Sequence, residues 1–181
     1  MTTATAQSSS PTETESPLSL LFADLDGELA TTRRMLERVP DGKDDWRPHE
    51  KSMTLGQLAT HVAQLPGFGI LMLTEDETDG SGGPRKANVT DNASRLQLFD
   101  EVSREFKGHL ERMTWDHAQS HWTMKIRGDT VLKAPRANLV RSMVITHSAH
   151  HRAQLGVYLR LLDRSVPTSY GPTADEGLPP A

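Results

Sequence analysis

Four stretches of this chain repeat their apolar residues every three or four positions, and elements patterned that way bury their stripes by packing helix on helix. The first runs from about Leu18 to Val39 through Leu18, Leu21, Phe22, Leu25, Leu29, Thr32 and Leu36, and Pro40-Asp41-Gly42 stops it. The second opens near Ser52 or Thr54, where Thr54 and Gln57 have the spacing of a capping box. Its stripe is Leu55, Leu58, His61, Val62 and Leu65, then Phe68 or Met72; Pro66 removes a main-chain donor and predicts a kink. The third follows an Asp91 or Asn92 cap with Phe99, Val102, Phe106, Leu110 and Met113. The fourth opens with Pro135 in its first turn and runs to about Asp163 through Val140, Val144, His147, His151, Leu155, Tyr158 and Leu162. The expected fold is all-α, a four-helix bundle.

The connections refine that picture. Residues Thr74 to Thr90 read as an acidic, then glycine-rich loop, long enough against the usual helix–helix link to cross the bundle. A crossover order is preferred over up-down-up-down. Between the third and fourth helices, Trp122, Met124 and Ile126 alternate ahead of Gly128-Asp129, the pattern of a short β-hairpin. Residues 1–17, almost entirely Thr, Ser, Ala, Glu and Pro, lack the apolar content to offset ordering and read as a disordered tail. Residues 167–181 read as an irregular C-terminal tail, leaving 18–166 as one bundle domain. No basic-then-apolar leader pattern and no membrane-length apolar run is present, so a cytoplasmic protein with no membrane partner is expected.

Composition narrows the chemistry. Across 181 residues, 20 Lys+Arg against 24 Asp+Glu leave a net charge of -4, and no basic stripe interleaved with aromatics appears, which argues against nucleic acid as a partner. With no cysteine, the chain has no disulfide scaffold, no thiolate metal site and no cysteine nucleophile. Eight histidines are the main chemical resource, because imidazole titrates near neutrality and ligates metals.

His147 and His151 are four apart and share a face of the fourth helix, the spacing with which a helix presents two imidazoles to one ion. Both lie within an apolar stripe, where neutral rings need partners. His61 takes the equivalent place in the second helix, and three nitrogens from two facing helices leave a metal with open positions. Spacing alone is weak: eight histidines in this length give roughly 0.35 such pairs by chance, and His117 with His121 forms a second one. Those two lie outside any helical stripe and read as surface or hairpin-packing residues. His150 points about 100° from the ligand face and reads as a residue behind the site or facing solvent. His49 and His109 look ordinary.

The segments SMTLGQLATHVAQLPGF (Ser52 to Phe68) and HSAHHRAQLGVYLRLLD (His147 to Asp163) together resemble the DinB/YfiT-like family of metalloenzymes, in which one histidine of the second helix meets an H-x-x-x-H-R-x-Q-L run in the fourth. The matching positions are His61, His147, His151, Arg152, Gln154 and Leu155, and the likeness extends from about Leu18 to Asp163. Ala153 stands where many members have Gly, and VPTSYGPTADE is similar to a tail found in one branch. The resemblance implies a bundle of up-down-down-up order, a divalent ion (nickel, zinc, iron or manganese) on three histidines, and a homodimer. It implies thiol-dependent S-transfer with bacillithiol-type cosubstrates for some members, and related folds run mycothiol-dependent isomerisation.

The resulting expectation is a metal-dependent enzyme acting on a small molecule, its ion lowering the pKa of a bound water or of a low-molecular-weight thiol cosubstrate, as hydrolase or S-transferase. No acidic residue of the two motif helices lies in the histidine stripe, so the sequence names no general base. Gln154 is placed to orient substrate or hold a ligand ring; Tyr158 is core or catalytic; Arg152 reads as a structural ion pair, with cosubstrate binding the lesser reading. Ile70, Leu71, Leu73 and Leu161 lie off the main stripes and offer either a dimer seam or further core. The competing class is a non-enzymatic stress or interaction protein whose ion clamps two helices, which requires a fourth protein ligand.

Overall fold

A computed structural model of the chain describes residues 17–82 and 88–177. The expected N-terminal tail, apart from Pro17, part of the acidic–glycine loop and the last four residues lie outside the described residues. The protein is mostly helical with a small three-stranded sheet. The first stripe forms two helices, α1 (Pro17–Leu21) and α2 (Leu25–Glu37), separated by a turn at Phe22–Asp24. Arg141 grips that turn, pairing with Asp24 and donating to the Leu21 carbonyl, which accounts for the break in a continuous apolar pattern. Helix α3 (Leu55–Thr74) starts on the expected capping box: Thr54 accepts from the Gln57 amide, and the Gln57 side chain accepts from the Thr54 amide. The helix runs unbroken through Pro66. Helix α4 (Asn92–Glu111) is capped by Asp91, which accepts from the Ser94 amide at 2.8 Å.

The expected loop after α3 contains a strand, β1 (Glu77–Asp79), and the segment after α4 contains a short helix, α5 (Trp115–Gln119). Two further strands follow, β2 (His121–Ile126) and β3 (Asp129–Pro135), which pair antiparallel across Arg127-Gly128, while β1 pairs parallel to β2. Gly128 takes a φ of +87°, a backbone conformation that glycine adopts without strain. The last helical run comprises α6 (Arg136–Val140), a π-helical segment (Arg141–Thr146) and α7 (His147–Leu161).

Helix α2 packs mainly on α4 and α7, and so does α3, while α2 and α3 barely touch. Two apolar clusters result. One joins Leu36, Leu55, Val62, Phe99 and Leu159; the other joins Met72, Phe106, Trp122, Val140 and Ile145. Trp122 brings β2 into the second cluster, edge-on to Phe68. The C-terminal end of α3 is held by the buried Arg136, which donates to the Met72 and Glu75 carbonyls and pairs with Asp76. His117 makes a further contact there, its Nε2 2.9 Å from the Leu73 carbonyl, where an N–H can donate. Leu73 belongs to the second cluster and Ile70 packs against it, whereas Leu161 is exposed.

Residues 164–177 form no helix or strand, yet they are pinned to the bundle. Arg34 donates to the Thr168 carbonyl, Arg38 pairs with Glu176, and Arg160 pairs with Asp175, while Thr168 is buried. Among the described residues, no helix is long and apolar enough to cross a membrane.

Candidate metal centre

On the last helical run, residues 139–145 serve one apolar cluster and 155–159 the other, and His147 and His151 fall between them. His61 approaches from α3. Its ring lies 5.3 Å from that of His147 and 4.6 Å from that of His151, centroid to centroid, and the latter two are 4.5 Å apart. One ligand atom from each of the three lies within 4.8 Å of the others, and the group contains no carboxylate.

The nitrogens on the far side of two rings decide what this cluster can do. His151 Nδ1 lies 2.7 Å from Gln154 Oε1, and His147 Nδ1 lies 3.3 Å from the Met143 carbonyl. An oxygen acceptor at each Nδ1, close at His151 and longer at His147, favours the tautomers that carry the ring protons there and leave the Nε2 atoms as lone pairs. Those two Nε2 atoms are 2.7 Å apart. At that separation the two nitrogens either share a proton, one Nε2–H donating to the other lone pair, or face a single cation together.

The π-helical segment contributes to this arrangement. The His147 amide donates to the Ser142 carbonyl five residues back, and not to Met143 as an α-helix would require. The Met143 oxygen, which does not take the His147 amide, lies 3.3 Å from the His147 ring instead. Burial, reinforced by His151 and His147, lowers the His61 pKa to about 4, and burial also lowers that of His151. His61 is therefore a neutral imidazole near pH 7, the form that ligates metals. The donor set, three imidazoles with no thiolate and no carboxylate, fits a borderline divalent ion such as zinc, nickel or iron.

The other residues singled out from sequence fall into two groups. Gln154 and His150 lie beside the cluster: Gln154 accepts from His151, and the exposed His150 ring lies 4.8 Å from that of His151. Tyr158 and Arg152 are packed into the fold. Tyr158 is buried, donates to the Met53 carbonyl and meets Trp46 edge-on at 5.6 Å. Arg152, 1% exposed, pairs with Glu28 at 2.8 Å and donates to Thr32, while the Tyr170 ring covers its guanidinium. The hydrogen bonds of Arg152 to the Glu28 carboxylate and carbonyl and to Thr32 lead into α2, away from the histidines. His121 is exposed on β2, His109 lies near Glu105, and His49 accepts from the Lys51 amide. The π-helical segment is the contributor that sequence reasoning missed, because a single displaced hydrogen bond leaves the apolar pattern nearly intact.

This is a helical protein with a three-histidine cluster between two of its helices, and comparison with known proteins specifies its kind. The DinB family model matches residues 11–178, and the chain belongs to the DinB family. The uncharacterized protein YrdA of Bacillus subtilis is 25% identical over 150 residues, covering 82% of this chain and 85% of its own. A solved DinB-like protein of Bacillus subtilis, YjoA, is similar with a TM-score of 0.64 and 18% identity, over 83% of this chain and 97% of that one. YfiT from Bacillus subtilis, described as a probable metal-dependent hydrolase with an unusual four-helix bundle topology, is similar with a TM-score of 0.59 and 18% identity, over 87% of this chain and 95% of that one.

Proposed function

We propose that this protein is a metal-dependent enzyme acting on a small molecule, with His61, His147 and His151 as the protein ligands of one divalent ion. The observation that carries this reading is the 2.7 Å approach of two Nε2 atoms whose rings both direct Nδ1 at an oxygen acceptor. When bound, nickel, zinc, iron or manganese supplies a Lewis acid that lowers the pKa of a coordinated water or thiol. Neutral imidazoles leave the ion's charge uncompensated, and three of them leave it an open position.

A hydrolase-like reaction has the support of the YfiT description. An S-transferase-like reaction is the second form, and with no cysteine in the chain its thiol must arrive as a cosubstrate. Up-down-down-up helix order and a homodimer belong to the same family reading. A purely structural ion is disfavoured, because such sites are closed by a fourth protein ligand and, among the described residues, the cluster offers three.

The test is metal analysis of protein purified under metal-replete conditions, beside His61→Ala, His147→Ala and His151→Ala. About one ion per chain is expected in the wild type and a large loss in each variant. A metal-free wild type, or variants at full occupancy, overturns the proposal.

A further inference from the structure

We infer that Gln154 is a positioning residue: its side-chain oxygen holds the proton of His151 on Nδ1 and so keeps Nε2 free as a ligand. The inference rests on the reading of this cluster as a metal centre and adds to it a residue that touches no metal. Gln154 stands one turn beyond His151 on α7, and its Oε1 lies 2.7 Å from Nδ1, the length of a good hydrogen bond. His151 is 9% exposed, and the Gln154 side chain, itself exposed, is the described partner at Nδ1, so the atom it turns to the ring decides which nitrogen carries the hydrogen.

The amide has two faces with opposite consequences. With Oε1 toward the ring, Nδ1 donates and Nε2 is a lone pair aimed at His147 Nε2. With the NH2 toward the ring, Nδ1 must accept, the proton moves to Nε2, and the ligand position is blocked. The second ligand on α7 is held in the same sense by main chain, the Met143 carbonyl 3.3 Å from its Nδ1. His147 thus depends on backbone geometry and His151 on a side chain, which makes the latter the one a substitution can release. Groups behind metal-ligating imidazoles commonly change metal affinity by about 10–100-fold when removed.

Two measurements on the full chain test this. In metal-free protein, nitrogen-15 NMR of the imidazoles should show His151 protonated on Nδ1 in the wild type and shifted toward Nε2–H in Gln154→Leu. In zinc or cobalt(II) titrations, Gln154→Leu should bind about 10–100-fold more weakly. Gln154→Glu, whose carboxylate still accepts from Nδ1, should stay near or above wild-type affinity and keep the wild-type cobalt spectrum. Wild-type affinity in Gln154→Leu, an equal loss in both variants, or an Nε2–H tautomer in the wild type overturns the role of Gln154. A wild type that binds neither ion while showing the Nδ1–H tautomer overturns the metal reading instead.

Discussion

His151 Nε2 and His147 Nε2 face each other at 2.7 Å, each on a ring whose other nitrogen meets an oxygen acceptor. A chain that folds two imidazole lone pairs together gains stability from any cation that satisfies both. Ligand binding to the native state alone stabilises by about 2.7 kcal/mol at a hundred times Kd. For a domain of this size that corresponds to about 5–10 °C in Tm. Zinc or nickel should therefore raise the Tm of chelator-treated wild type by that amount and leave His147→Ala nearly unmoved, as followed by circular dichroism. Equal shifts in the two proteins would mean that the ions bind elsewhere.

Without metal, the same cluster makes stability fall with acid. Burial first, and the His151 and His147 rings second, lower the His61 pKa to about 4 in the folded chain, against 6.5 ordinarily. The unfolded chain therefore takes up the proton first as pH drops. The His61 contribution is complete above about 6.5, shrinks steadily to about 4, and is constant below that. The lowered pKa of His151 acts in the same direction. Urea midpoints of metal-free protein should decline from pH 7 to pH 4.5, and His61→Leu should show a shallower decline. An identical slope in the variant would remove His61 from the account.

Next to the cluster, Arg152 and Glu28 tie α7 to α2, and the two ends of the pair are unequally buried. The Arg152 side chain is 2% exposed and that of Glu28 is 13% exposed. Glu28→Ala strands a guanidinium in the interior, a change that costs about 3–5 kcal/mol. Arg152→Met leaves a carboxylate that still accepts from Tyr170 and has some contact with water, so its cost should be smaller. The prediction is the order of the urea midpoints: wild type, then Arg152→Met, then Glu28→Ala. Because Arg152 points into α2, zinc affinity of the folded Arg152→Met protein should remain within a few-fold of wild type. A selective loss of metal or substrate binding would return Arg152 to the site.

The parts of this architecture legible in the sequence are those set by neighbours along the chain. Stripe periodicity located the main helices, and Thr54 and Asp91 announced their caps, because a helix start is decided within four residues. The gathering of His61 with His147 and His151 was readable for a related reason: all three occupy core-facing positions of stripes that must meet. What could not be read depends on distant partners. Strand β1 exists because Glu77–Asp79 finds β2 more than forty residues later, and three residues carry no pattern of their own. The turn in the first stripe needs Arg141 against Asp24. Residues 164–177 have a tail's composition, and it is Arg34, Arg38 and Arg160 on the helices that fix them.

The helix that carries His61 approaches α4 so closely that one glycine is required there and another is not. A Cβ on Gly69 would lie within 3.0 Å of three ring carbons of Phe106, and Phe106 is fully buried. A Cβ on Gly67 would meet Val102 at 3.5 Å, an ordinary contact. Both glycines sit inside a helix, where Ala is favoured by about 1 kcal/mol. Overpacking costs about 1–3 kcal/mol, and the clash of three ring atoms should outweigh the propensity gain at Gly69. Gly67→Ala should therefore raise the urea midpoint and Gly69→Ala should lower it, with the two changes of opposite sign in the same helix. A stabilised Gly69→Ala protein would show that α3 and α4 can separate at Phe106, and the close packing of these two helices would have to be redrawn.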